Sequence, residues 1–184
     1  MDKAIITVLG QDRPGIVAAV SKILFEYDCN IENVSQTILQ AEFAAIFIVS
    51  MPEGLLLSAL NDALQSELTP MDQHVQLKPL RHQQTTFTAL ENEPFVITTK
   101  GPDRKGLVAG ITEIIARHGV NITNLQAVFK GGDEPGDNIM IYEVDVPVNI
   151  DQQALDRELR KRAQELSLDI SIQHRNIFKA INRI

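Results

Sequence analysis

Two rhythms alternate along this chain, one of period two and one near 3.6, and glycine or proline marks most changes between them. Residues 4–9 form a short β-rich run closed by Gly10. Asp12, Arg13, Pro14 and Gly15 then punctuate the chain, and Ile16, Val20, Ile23, Leu24 and Tyr27 recur at helical spacing. Residues 31–39 and 43–51 read as strands joined by a tight hairpin near residues 40–42, before Pro52 and Gly54 break the chain. Leu56, Ala59, Leu60, Ala63 and Leu64 make a second helical stripe. Val75 and Leu77 alternate with polar residues in a strand that stops at Pro79. The predicted order is β-α-β-β-α-β.

The second half predicts the same order: strand 95–100, helix about 105–118, strands 122–130 and 138–146, helix 152–166 and strand 168–174. A glycine-rich turn, GGDEPG at 131–136, replaces the tighter first hairpin. The likeness extends to residue identity. Residues 4–36 and 95–127 align without a gap when slid by 91 positions. Ile6, Gly10, Asp12, Arg13, Gly15, Asn30 and Asn33 recur as Ile97, Gly101, Asp103, Arg104, Gly106, Asn121 and Asn124. A repeat of that length sets the architecture. The fold class is α+β, with one module over residues 1–79, a linker over 80–92, a second module over 93–176 and a tail over 177–184.

Residues 43–49 are apolar at almost every position, where a strand with one wet face would alternate. A sheet or strand from elsewhere would cover the second face, which points to paired modules or an oligomer. The alternative is a central strand whose small Ala44 and Ala45 stay partly exposed.

Composition narrows the function. The 184 residues carry a formal charge of −7 with a sequence pI near 5.1, which argues against direct nucleic-acid binding. The one cysteine, Cys29, allows no internal disulfide and fits a reducing cytoplasm. It reads as a small buried residue beside a strand or as a reactive thiol. The opening MDKAIITVLG lacks the layout of a signal peptide, and no apolar run approaches the roughly 20 residues of a spanning helix, so a cytoplasmic protein without membrane contact is expected.

The repeated residues are the candidate site. Gly10 and Gly101 close a strand, where a turn would need positive φ and a ligand would reach the backbone unobstructed. Asp12 and Asp103 read as helix caps, with Pro14 in the first turn, or as contacts to a ligand's ammonium or amide. The helix opening after them offers free N–H groups that suit a carboxylate. Asn30 and Asn121 lie where the first helix turns into the second strand; each reads as a turn residue or as an amide that both donates and accepts. Arg13 and Arg104 read as surface ion pairs. The four histidines, His74, His82, His118 and His174, have no metal spacing, and RELRKRA at 157–163 reads as the solvated face of a helix. No nucleophile motif, Cys/His metal set or P-loop is present, so the sequence names no catalytic residue, cofactor or metal.

The strings GQDRPGIV with CNIEN, and GPDRKGLV with VNITN, resemble the ACT domain, a small-molecule-sensing module. Two such modules resemble the tandem ACT regulators of the glycine cleavage system transcriptional repressor family. Lys105 stands where the first copy has Pro14, which implies a less rigid second loop. The resemblance implies ferredoxin-like modules paired through their sheet edges, with amino-acid effectors at the junction. It places ligand contacts at Gly10, Asp12, Arg13, Pro14, Gly15 and Asn30, and at Gly101, Asp103, Gly106 and Asn121. The function so implied is a non-enzymatic homodimeric regulator that senses an amino acid and acts on a protein partner in amino-acid metabolism or transcription. Two rivals are a stand-alone regulatory subunit of a biosynthetic enzyme and a ligand-free dimerisation scaffold. An RNA-binding ferredoxin-like fold would want stacking aromatics on its central strands, and the first strands offer only Phe95.

Overall fold

The computed structural model describes residues 2–80, 91–128 and 138–177. The turn at 131–136, most of the linker and residues 178–184 of the tail lie outside the described residues. The chain divides into two compact units, Met1–Gln83 and Gln84–Ile184. The first contains β1 (Asp2–Gln11), α1 (Ile16–Glu26), β2 (Asn30–Leu39), β3 (Glu42–Met51), α2 (Leu57–Leu68) and β4 (Gln73–Pro79). The second contains β5 (Asn92–Gly101), α3 (Leu107–Arg117), β6 (Asn121–Val128), β7 (Asn138–Pro147), α4 (Gln152–Glu165) and β8 (Asp169–His174). Both units are thus βαββαβ modules, and the α+β reading holds.

Each module has one antiparallel sheet, ordered β2-β3-β1-β4 in the first and β6-β7-β5-β8 in the second. The repeat persists in fine detail, because both sheets carry a register shift at one place, between Ile31 and Asn33 and between Ile122 and Asn124. Alternation sends Ala4, Ile6 and Val8 of β1 to one face with Phe43, Ala45, Phe47 and Val49 of β3, where α1 and α2 cover them. Ile97, Met140, Tyr142 and Val144 form the matching core with α3 and α4. The opposite face of the first sheet carries Ile5, Thr7, Leu9, Ala44, Ile46 and Ile48 on its central strands, and Ile46 is 51% exposed. The doubly apolar strand at residues 43–49 therefore buries one face within its own module and leaves the other uncovered by it.

Several local readings are corrected. α1 and α3 begin at Ile16 and Leu107 behind Gly15 and Gly106 in left-handed geometry, with no side-chain cap. Asp12 and Asp103 are therefore not N-caps, and Pro14 precedes the helix. Gly10 and Gly101 are strand residues without positive φ. In the turn before β2, positive φ falls on Asp28, so Asn30 is a paired strand residue. The α2 stripe is Leu57, Leu60, Leu64 and Leu68, whereas Leu56 is exposed and precedes the helix. A 3₁₀ turn at Thr69–Met71 then delivers the chain to β4, a step that periodicity cannot signal in three residues.

Cys29 is half-buried; burial, then the neighbouring Asp28 charge, pushes its thiol pKa up, away from a reactive thiolate. Among the described residues no helix is long and apolar enough to cross a membrane. The Tyr142 hydroxyl is buried and donates to the Met140 sulfur at 3.3 Å. Burial raises its pKa to about 12, with the Thr99 hydroxyl acting in the opposite sense. The folded state thus holds the proton more tightly than the unfolded chain does, and this contribution to stability is complete below about pH 10 and lost as pH rises towards 12. In a Tyr27→Phe chain, where Tyr142 alone reports, ultraviolet titration should show no phenolate step near pH 10. A phenolate step near pH 10 in the folded protein would contradict the burial argument.

Candidate loop and edge-strand site

Under each β-α loop the structure places a buried carboxamide. In the first module Gln73 is 3% exposed; its Nε2 donates to the Gln11 carbonyl at 2.8 Å and the Met71 carbonyl at 3.2 Å. In the second, Asn138 is 3% exposed and its Nδ2 donates to Asp103 Oδ1 at 3.2 Å. The two amides come from different strands, β4 and β7, yet each ties down the loop's start. Each leaves its carbonyl oxygen buried without a partner in the described structure. Sequence reasoning passed over both residues. Parity would have found them, since Gln73 shares a face with Val75 and Leu77, and Asn138 shares one with Met140 and Tyr142.

The glycines beside these amides are required by space. A β-carbon at Gly10 would strike the Asp72 carbonyl and sit 2.7 Å from Gln73 Nε2; at Gly101 it would sit 2.8 Å from both the Ser167 carbonyl and a Leu168 methyl. The loop then reverses at Gly15 (φ 100°) and Gly106 (φ 89°), conformations that other residues rarely adopt. The close match of these angles shows that Lys105 in place of a proline does not alter the helix start. Asp12, Arg13, Pro14 and Gly15 are all exposed, and the Asp12 amide donates to the Ala41 carbonyl at 2.7 Å. The first turns of α1 and α3 carry neither a side-chain cap nor an acidic residue. In the second module the loop and first turn line a shallow groove of ≈ 710 Å³ between Asp103 and Ala109.

Arg104 donates to the Glu165 backbone carbonyl at 3.5 Å, and Arg13 forms no ion pair among the described residues, so neither is the surface ion pair the sequence suggests. Part of the basic stretch at 157–163 is paired locally: Arg160 pairs with Asp156, and Arg162 with Glu165 and Glu113. Asn124 donates to Glu143, as strand polarity predicts. Among the described residues no group of three or more His, Cys, Asp or Glu is placed to hold a metal ion.

Asn30 and Asn121 are exposed at the start of the edge strands β2 and β6. Gly10 pairs with Phe43 and Asn30 with Ser50, seven residues apart on β3. In the second module Gly101 pairs with Asn138 and Asn121 with Asp145, again seven apart. At about 3.3 Å per residue the loop and the asparagine stand roughly 23 Å apart, at opposite ends of their sheet. No single module brings its loop and its asparagine onto one amino acid. The structure groups residues 10–15, groups 101–106, and separates Asn30 and Asn121 from them.

The ACT-domain family model matches residues 2–78 and 93–173. A UPF0237 protein of Methanocaldococcus jannaschii is 35% identical over 92 residues, which are 48% of this chain and 96% of the relative. One of Methanopyrus kandleri is 48% identical over 54 residues, 29% of this chain and 60% of the relative's length. Among solved structures, an unknown protein from Galdieria sulphuraria is similar with a TM-score of 0.77 and 23% identity, over 94% of this chain and 98% of that one. A protein provisionally named a glycine cleavage system transcriptional repressor gives a TM-score of 0.64 at 18% identity, over 94% and 96% of the two chains. At these identities both structures speak to the fold.

The crowding at the end of β1 can be measured. Gly10→Ala should destabilise the first module by about 1–3 kcal/mol, the range for forcing atoms into packed space. Gly54→Ala, with open space but φ +83°, should lose about 1 kcal/mol from backbone strain alone. Urea unfolding of the two variants tests the order; equal stability of Gly10→Ala and the parent would refute it.

Proposed function

The chain belongs to the ACT-domain family, with a copy in each half, and from that premise we propose that it is an amino-acid-sensing regulator whose ligand sites form between two copies of the chain. A small-molecule-sensing regulatory role follows from the family. The amino acid, the second copy and a protein partner in the control of amino-acid metabolism or transcription are our reading.

The observation that carries it is the separation of the loop from Asn30 across an open edge strand. Among the described residues β2 has a neighbour on one side only, and Val34, Ile38 and Leu39 along it are exposed, Leu39 at 75%. Such an edge invites another strand. If two β2 strands pair antiparallel about a two-fold axis, the start of each meets the end of the other. The Asn30 of one copy then approaches the hairpin of its partner, which the Asp12 amide ties to the β1–α1 loop. The ligand carboxylate would meet the free amides at the start of α1, and its ammonium the Asn30 side-chain carbonyl of the other copy. Gly10, Asp12, Arg13, Pro14 and Gly15 shape that pocket, with Gly101, Asp103, Gly106 and Asn121 as their counterparts in the second module.

The central strands favour this reading over RNA. On the outward sheet faces they present Ile5, Thr7, Leu9, Ala44, Ile46 and Ile48, then Thr98, Lys100, Ile139, Ile141 and Glu143, with no aromatic among them. Phe95 points to the core side.

A thermal-shift screen against the amino acids should give one that raises the melting temperature; at 100 times its Kd the gain is about 2.7 kcal/mol. If none does, the scaffold reading replaces this one. Asn30→Ala should weaken that ligand about tenfold or more in calorimetry, since loss of a buried hydrogen bond costs roughly 1–3 kcal/mol, and Asn121→Ala should weaken it less. Sedimentation should find a dimer; a monomer that binds the amino acid with full affinity would eliminate the shared site.

A further inference from the structure

The second module holds a cavity that the loop-and-edge site does not use. It occupies ≈ 500 Å³ between the first turns of α4 and the core face of the sheet. Phe95, Ile97, Val144, Val146, Leu155 and Ile172 form its walls, and Gln152, Asp156 and Arg157 stand at its mouth.

Comparison of the two modules explains the opening. Leu60 and Leu64 of α2 correspond by burial and spacing to Leu155 and Leu159 of α4, which sets Leu57 against Gln152. Strand register sets Met51 against Val146. Met51 and Leu57 both pack into the first core. In the second module Val146 is shorter, and Gln152 turns aside to donate to Glu93 Oε2 at 2.9 Å. Phe95 leans edge-on against His174, with ring centroids 5.4 Å apart and planes at 76°. The second module thus carries a shorter side chain at one of these positions and an averted one at the other, while Phe95 stands where the first module has Ala4 and forms one wall of the space.

The mouth is chemically selective. Asp156 is held by Arg160 at 2.8 Å, and Gln152 by Glu93. Arg157 is exposed and has no ion-pair or hydrogen-bond partner among the described residues. The space opens to solvent past its polar mouth, its walls are mostly apolar, and its volume falls within the usual range for small-molecule sites. We propose that it binds one small apolar monocarboxylate, with the hydrocarbon body against the walls and the carboxylate on Arg157 at the mouth. Its ligand differs in class from that of the loop-and-edge site.

Octanoate is a suitable probe for the full chain. Calorimetry should show one saturable site per chain. Gln152→Leu and Val146→Met, which restore the first module's filling, should each weaken binding at least tenfold. Arg157→Gln should weaken octanoate several-fold and leave 1-octanol unchanged. In the parent protein octanoate should shift the methyl resonances of Ile97 and Ile172 and leave Ile6 unmoved, a reading that depends on no variant. The proposal fails if octanoate does not saturate, if those methyl groups do not respond, or if folded Gln152→Leu and Val146→Met chains bind as the parent does. Equal loss of octanoate and octanol in Arg157→Gln would overturn the carboxylate's placement.

Discussion

At the end of the first strand of each module there is no room for a β-carbon. The last strand's entering backbone presses on Gly10 in one copy and on Gly101 in the other. From that crowding follow the buried amide beside it, the exposed loop beyond it and the left-handed glycine that swings the chain into a helix. The contact joins the last strand to the first turn of the fold: a β-carbon here would force β4 or β8 to shift against β1 or β5. A loop fixed at its base by Gln73 or Asn138 presents its helix amides in one direction.

Alternation and helical spacing made most of the fold legible. The order of elements, the repeat and the hairpin were written in residues such as Ile6, Phe47 and Val20, whose burial dictates their pattern. What stayed illegible was decided by backbone geometry. Asp12 has the chemistry of a cap, but the chain turns three residues later, at Gly15, because a left-handed residue there starts the helix without any side-chain oxygen. Asp28 rather than Asn30 takes positive φ, since both types tolerate it and register decides between them. The site was legible as a set of residue types and not as an assembly. A motif reports spacing along the chain, and only strand direction reveals that α1 carries the chain from one end of the sheet to the other before Asn30 appears.

The two modules diverge where it matters least for folding. Their first helices and loops keep the same caps and angles. Their second helices differ: α2 covers the sheet with leucines, whereas α4 carries polar side chains around a thinner apolar stripe of Leu155, Leu159 and Ala163. A duplicated unit can tolerate such thinning in one copy when its own four-stranded antiparallel sheet still organises the core. The cavity under α4 is the visible result.

The open edge of β2 has a further consequence. Pairing of identical edges about a two-fold axis is isologous: whatever residue i of one copy does to residue j of the other is done in return. A site made of one copy's loop and the other's asparagine is thus always made twice, at the two ends of the shared ladder. Under the proposed pairing such sites would come in pairs per dimer, and filling the first would tighten the same strand pair that builds the second.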